Sequence, residues 1–96
     1  SYVNRIGQKL AQTSSRPDIP YTFQVVQDES INAFATAGGF VYVTTGLLEA
    51  VDNEAQLAGV LAHEIGHIAA RHTVEQMRQT AIAQGLANAA GADRNK

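Results

Sequence analysis

One stretch governs what this chain can become: AQLAGVLAHEIGHIAA, residues 55 to 70. It holds no proline and is dense in alanine and leucine, so helix is its favoured state. Asp52 or Asn53 can cap its start, Glu54 sits in the positive first turn, and Asn53 with Gln56 approximates a capping box. Its only strongly polar side chains are Gln56, His63, Glu64 and His67. A helix apolar almost all round predicts a segment enclosed on most sides by the rest of the fold.

All three histidines of the chain fall at or just after this stretch, and two of them bracket Glu64 in the pattern H-E-x-x-H. On a helix His63 and His67 lie about 40° apart and one turn apart, so both imidazoles can reach one point off the surface. Zinc needs nitrogen ligands at roughly 2.0–2.1 Å, and this spacing supplies two. Glu64 is rotated about 100° from His63, too far to join them but well placed to hold a metal-bound water and accept its proton. Gly59 and Gly66 flank the histidine face and leave room for another backbone. An ionised carboxylate inside an apolar helix costs several kcal/mol unless compensated, and a nearby dication compensates it. The plain alternative is a pair of core histidines satisfied by hydrogen bonds.

A zinc site needs a third protein ligand. His72 points about 180° away from His63 on a continuous helix. Glu75 lies about 12 Å further along the axis than His67. Asp93 sits in the tail, and Glu49, Asp52 and Glu54 have no obvious path to the site. The third ligand is therefore expected outside this sequence.

The remaining residues predict a small α+β domain. With 96 residues there is room for one domain, burying roughly 60–65% of its unfolded surface. Val3, Ile6 and Leu10 recur at helical spacing over 2–12, and SSRPDIP ends that helix. In YTFQVVQ (21–27), Tyr21, Phe23 and Val25 alternate with polar residues as in a half-buried strand. Residues 31–45 read as two extended pieces joined at Gly38-Gly39, a hairpin signal. Thr45 can cap a short helix through GLLEA, and TVEQ (73–76) is a second capping box that predicts a new helix there, one continuous helix being the alternative. The expected fold is a small, mostly antiparallel sheet packed on the long helix, with one helix before and one after.

Composition narrows the function classes. There is no cysteine, so thiolate ligands and disulfides are excluded. A net charge of −2 with mixed signs offers no stripe for nucleic acid and no polybasic segment for lipid. No apolar run is long enough to span a bilayer, so membrane association is expected only through segments outside these residues.

The stretch NAFATAGGFVYVTTGLLEAVDNEAQLAGVLAHEIGHIAARH (32–72) is similar throughout to the gluzincin metallopeptidases of the HtpX and CAAX prenyl endopeptidase family. The resemblance implies a zincin-like fold, zinc bound by His63 and His67, and Glu64 as general base. It implies that Asn32, Ala33, Phe34 and Ala35, with Thr36 beyond them, line the cleft and pair with an extended polypeptide substrate. In that family the third ligand is a glutamate on a later helix, and a downstream histidine or arginine stabilises the oxyanion. Residues 1–96 are thus expected to be the amino-terminal part of a zincin peptidase domain, weak or inactive alone. A homodimer could lend the missing carboxylate. The expected setting is the bacterial cell envelope or periplasm. The competing reading is a non-catalytic zincin-like module that binds protein.

Overall fold

The computed structural model describes residues 2–94. In chain order the elements are α1 (Tyr2–Gln12), β1 (Thr22–Val26), β2 (Ala33–Ala35), β3 (Phe40–Thr44), α2 (Thr45–Ala50) and α3 (Glu54–Arg94). The α+β class stands. The apolar stripe of α1 buries Val3, Ile6 and Ala11 against β1 and α3. Gly7 allows the close approach to β1, since a Cβ there would sit 2.5 Å from the Phe23 ring. Tyr21 and Phe23 are buried as their alternation predicts, whereas Val25, near the end of β1, is 41% exposed.

The sheet is mixed, and the expectation of a mostly antiparallel one is corrected. Its order is β1-β3-β2. The Gly38-Gly39 turn makes β2 and β3 an antiparallel hairpin, with Gly39 at φ 94°, where a side chain is strained. The hairpin docks with β3 in the middle, so β3 runs parallel to β1 over five paired residues, Thr22↔Phe40 to Val26↔Thr44. Period-2 patterning identifies strands but is blind to which neighbour each one takes.

Thr44, not Thr45, caps α2, because the helix starts one residue earlier than GLLEA suggests. The buried Thr44 hydroxyl accepts from the Leu47 amide at 3.1 Å and the Asn32 amide at 3.1 Å. Thr45 instead donates to the Asp28 carbonyl at 2.9 Å. These bonds tie the start of β2 to the end of β3. At the head of α3, Asn53 is the cap: its side-chain oxygen accepts from the Gln56 amide at 2.9 Å. The Gln56 side chain reaches back to the Asp52 amide at 2.7 Å.

Two expectations about α3 are also corrected. No new helix begins at Thr73, and α3 runs unbroken from Glu54 to Arg94. Neither glycine nor proline interrupts 67–84, and the would-be capping side chains are engaged elsewhere. Thr73 and Gln76 accept from the Arg16 guanidinium, at 3.3 and 3.1 Å. Nor is the helix enclosed on most sides. Leu57, Leu61, Ile65, Ile68 and Ala69 form one buried stripe, while Gly59, Ala62, Gly66 and Ala70 are exposed. The elements that pack against it, α1, β2 and β3, meet it along that stripe. Among the described residues no helix is long and apolar enough to cross a membrane.

Leu61 is fully buried at the centre of the stripe, among Val3, Ile6, Phe23, Val41 and Val43 in the core cluster. Leu61→Ala removes packed methyl groups and leaves a cavity, so a loss of roughly 2–5 kcal/mol is expected. The urea midpoint should fall accordingly; an unchanged midpoint would mean that this stripe does not anchor α3.

Candidate functional site

A helix returns to nearly the same face every fourth residue, and α3 applies this to His63 and His67. Their Nε2 atoms stand 3.0 Å apart, with ring centroids 4.4 Å apart and ring planes at 85°. Both side chains are exposed, on the side of α3 away from the core, so they are not core histidines. Two imidazole nitrogens on one tetrahedral zinc, each at roughly 2.0–2.1 Å, lie roughly 3.3 Å apart. The observed pair is close to that bite, and a small ring rotation closes the difference. The donors fit a zinc ion as two of its ligands. Among the described residues, no group of three histidine, aspartate or glutamate side chains could hold one.

Glu64 turns towards the sheet. It lines a groove of about 330 Å³ with His67, Ile68 and Arg71 of α3, facing Phe34, Ala35 and Thr36. Glu64 is half-buried rather than enclosed, so its carboxylate does not need a dication to offset desolvation. What favours a metal is the histidine geometry.

The four candidate strand residues divide. Phe34 and Ala35 line the groove beside Glu64; Asn32 and Ala33 do not. The Asn32 backbone is committed to Thr44, its amide donating to the Thr44 hydroxyl and its carbonyl accepting from the Thr44 amide, each at 3.1 Å. In the β2–β3 register, Thr36 also bonds inward, to the Phe40 carbonyl at 2.9 Å. Alternation then turns the amides and carbonyls of Ala33 and Ala35 to the free edge. The side chains of both alanines pack against the core, while Phe34 is 44% exposed on the other face, stacked on Tyr42 at 5.1 Å.

Past the groove, His72 donates from Nε2 to the Ala37 carbonyl at 2.7 Å and so holds the β2–β3 turn against α3. It points away from the His63–His67 pair, as the helical wheel predicts. A larger cavity of about 460 Å³ opens there, lined by Arg16, Ala37, Arg71, His72, Glu75, Gln76 and Gln79. Arg16 forms a two-pronged pair with Asp18, at 3.1 and 3.0 Å, and these hydrogen bonds hold the Asp18 carboxyl below its usual range. Glu75 is likewise lowered, chiefly by its hydrogen bonds from Arg78 at 3.1 and 3.3 Å.

Sequence reasoning gave Arg71 no part in the site. Its signal was spacing: four residues after His67 and seven after Glu64 puts it on their face of the helix.

Comparison with known proteins gives a consistent picture. The profile described as Peptidase family M48 matches residues 1–95. The beta-barrel assembly-enhancing protease of Yersinia pestis is 40% identical over 78 residues, covering 81% of this chain and 16% of its own length. The mitochondrial metalloendopeptidase OMA1 of Schizosaccharomyces pombe is 38% identical over 79 residues, covering 82% of the chain and 23% of its own. Metalloprotease YcaL of Escherichia coli is 37% identical over 80 residues, covering 78% and 31%. The chain therefore spans less than a third of the length of each of these relatives.

Proposed function

The chain belongs to peptidase family M48, and we propose that it carries the first two zinc ligands and the general base of a zinc-dependent endopeptidase. His63 and His67 would hold the ion through Nε2, and Glu64 would act from the adjoining groove. Zinc, when bound, supplies a Lewis acid that polarises the scissile carbonyl and acidifies water. Glu64 accepts a proton from the attacking water as its oxygen bonds to the carbonyl carbon. It returns that proton to the amine nitrogen as the C–N bond breaks. The outward amides and carbonyls of Ala33 and Ala35 pair with an extended polypeptide, with the Asn32 side chain and Phe34 flanking it. The free edge of β2 beside Glu64 supports this role.

The third ligand is proposed to come from outside residues 2–94. Either a glutamate on a later helix or a carboxylate lent by a second copy would complete the site in a zincin-like domain. Residues 1–96 would then be its amino-terminal part. The run from Asn32 to His72 supports placement among the HtpX and CAAX prenyl endopeptidase gluzincins. The names of the bacterial relatives favour a cell-envelope setting and polypeptide substrates.

One observation carries the reading: two exposed imidazole nitrogens 3.0 Å apart, with Glu64 in a groove against an edge strand. The test is metal content and peptide hydrolysis of the full-length protein. One zinc per chain is expected, with hydrolysis lost on chelation and restored by zinc. A full-length protein that binds no zinc and cleaves nothing would favour the non-catalytic, protein-binding module. Residues 1–96 alone should hydrolyse weakly or not at all, and robust turnover there would point to a ligand supplied within or between copies of this segment.

A further inference from the structure

The groove beside Glu64 ends at Arg71, and Arg71 also lines the larger cavity beyond it. The other charged groups around that cavity are engaged. Arg16 is neutralised by Asp18 and Glu75 by Arg78, and the His72 ring is spent on the Ala37 carbonyl. Arg71 is exposed and forms no hydrogen bond or ion pair with any described residue. Glu64 and Arg71, seven residues apart, lie about 10 Å apart along one face of α3. Glu64 likewise has no hydrogen bond or ion pair with any described residue, so among the described residues the groove presents an unpaired carboxylate at one end and an unpaired guanidinium at the other.

We propose that Arg71 is a specificity-determining residue that binds a carboxylate of the polypeptide seated along β2; this rests on the peptidase reading above. Residues directly opposite one another in a sheet share a face. The side chains of Ala33 and Ala35 face the core and α3, so substrate residues opposite them project towards α3 as well. Arg71 lies one helical turn, about 6 Å, beyond His67, and an extended chain advances roughly 3.3 Å per residue. The selected carboxylate therefore sits one or two residues from the scissile bond. A guanidinium offers two parallel N–H donors to a carboxylate, a geometry that glutamine and lysine do not reproduce.

The test uses the full-length, zinc-loaded protein and C-terminally amidated fluorescent peptides carrying one Glu, Gln or Lys at successive positions. A second set has a free C-terminal carboxylate and no internal acid. Binding is read by anisotropy on Glu64→Gln protein, and hydrolysis on protein retaining Glu64. At one position the Glu peptide should bind roughly tenfold more tightly than its Gln counterpart. That ratio should fall to near one in Arg71→Gln, recover in part in Arg71→Lys, and favour Lys over Glu peptides in Arg71→Glu. It should shrink with added salt. The same dependence on Arg71 for the free-terminus peptides assigns the carboxylate to the chain end instead of a side chain. Discrimination by binding in a protein that hydrolyses nothing would sink the peptidase reading and leave the carboxylate site standing. An equal Glu/Gln ratio with and without Arg71, or no peptide binding at all, overturns the proposal.

Discussion

Glu64→Gln in the full-length protein is expected to lower kcat/KM for peptide hydrolysis by about 10²–10⁴-fold while zinc stays bound. Glutamine keeps the size of the side chain and one acceptor oxygen but cannot take a proton from water. Glu64 is half-buried in the groove and lies off the line joining the two imidazoles, so the change should not disturb His63 and His67, the proposed metal pair. Metal analysis alongside initial rates separates the two effects. A variant that has lost zinc would show Glu64 holding the site together, and one that still hydrolyses at the wild-type rate would remove it from the chemistry.

The second large effect concerns the ligands. Replacing His63 or His67 by alanine should weaken zinc binding by on the order of 10³-fold, taking one share of the roughly 10–16 kcal/mol that protein zinc sites supply. Stability of the metal-free fold should barely change. Both side chains are exposed on α3, and alanine is the strongest helix former. That contrast with Leu61→Ala, which loses stability and touches no metal, makes the result diagnostic. Competition with a chromophoric chelator gives the affinity, and urea unfolding with chelator present gives the stability. If His67→Ala instead lost several kcal/mol of metal-free stability while the folded protein bound zinc as before, the imidazole would be structural.

Much of this site was legible in the sequence because it depends on short-range geometry. His63, Glu64 and His67 sit on one helix, so 100° per residue fixes their relative directions once the helix is identified. The Gly38-Gly39 turn was legible for a similar reason: a positive φ at Gly39 is a local requirement that glycine meets. The cap of α2 was displaced by one residue, since Thr44 and Thr45 both carry hydroxyls and only the docking of residues 28–32 decides which one faces the helix. Continuity of α3 was less legible. TVEQ has the composition of a start signal, but Thr73 and Gln76 are drawn to Arg16, which is distant in sequence.

The sequence alone determined the strands, the helix that carries H-E-x-x-H and the relative directions of His63, Glu64 and His67 on it, because each follows from backbone periodicity within a few residues. Only tertiary structure decided that β3 lies between β1 and β2, that α3 is buried along one stripe alone, and that β2 and Arg71 flank Glu64. Those outcomes depend on which surfaces meet across long stretches of chain, and no local pattern encodes such a choice.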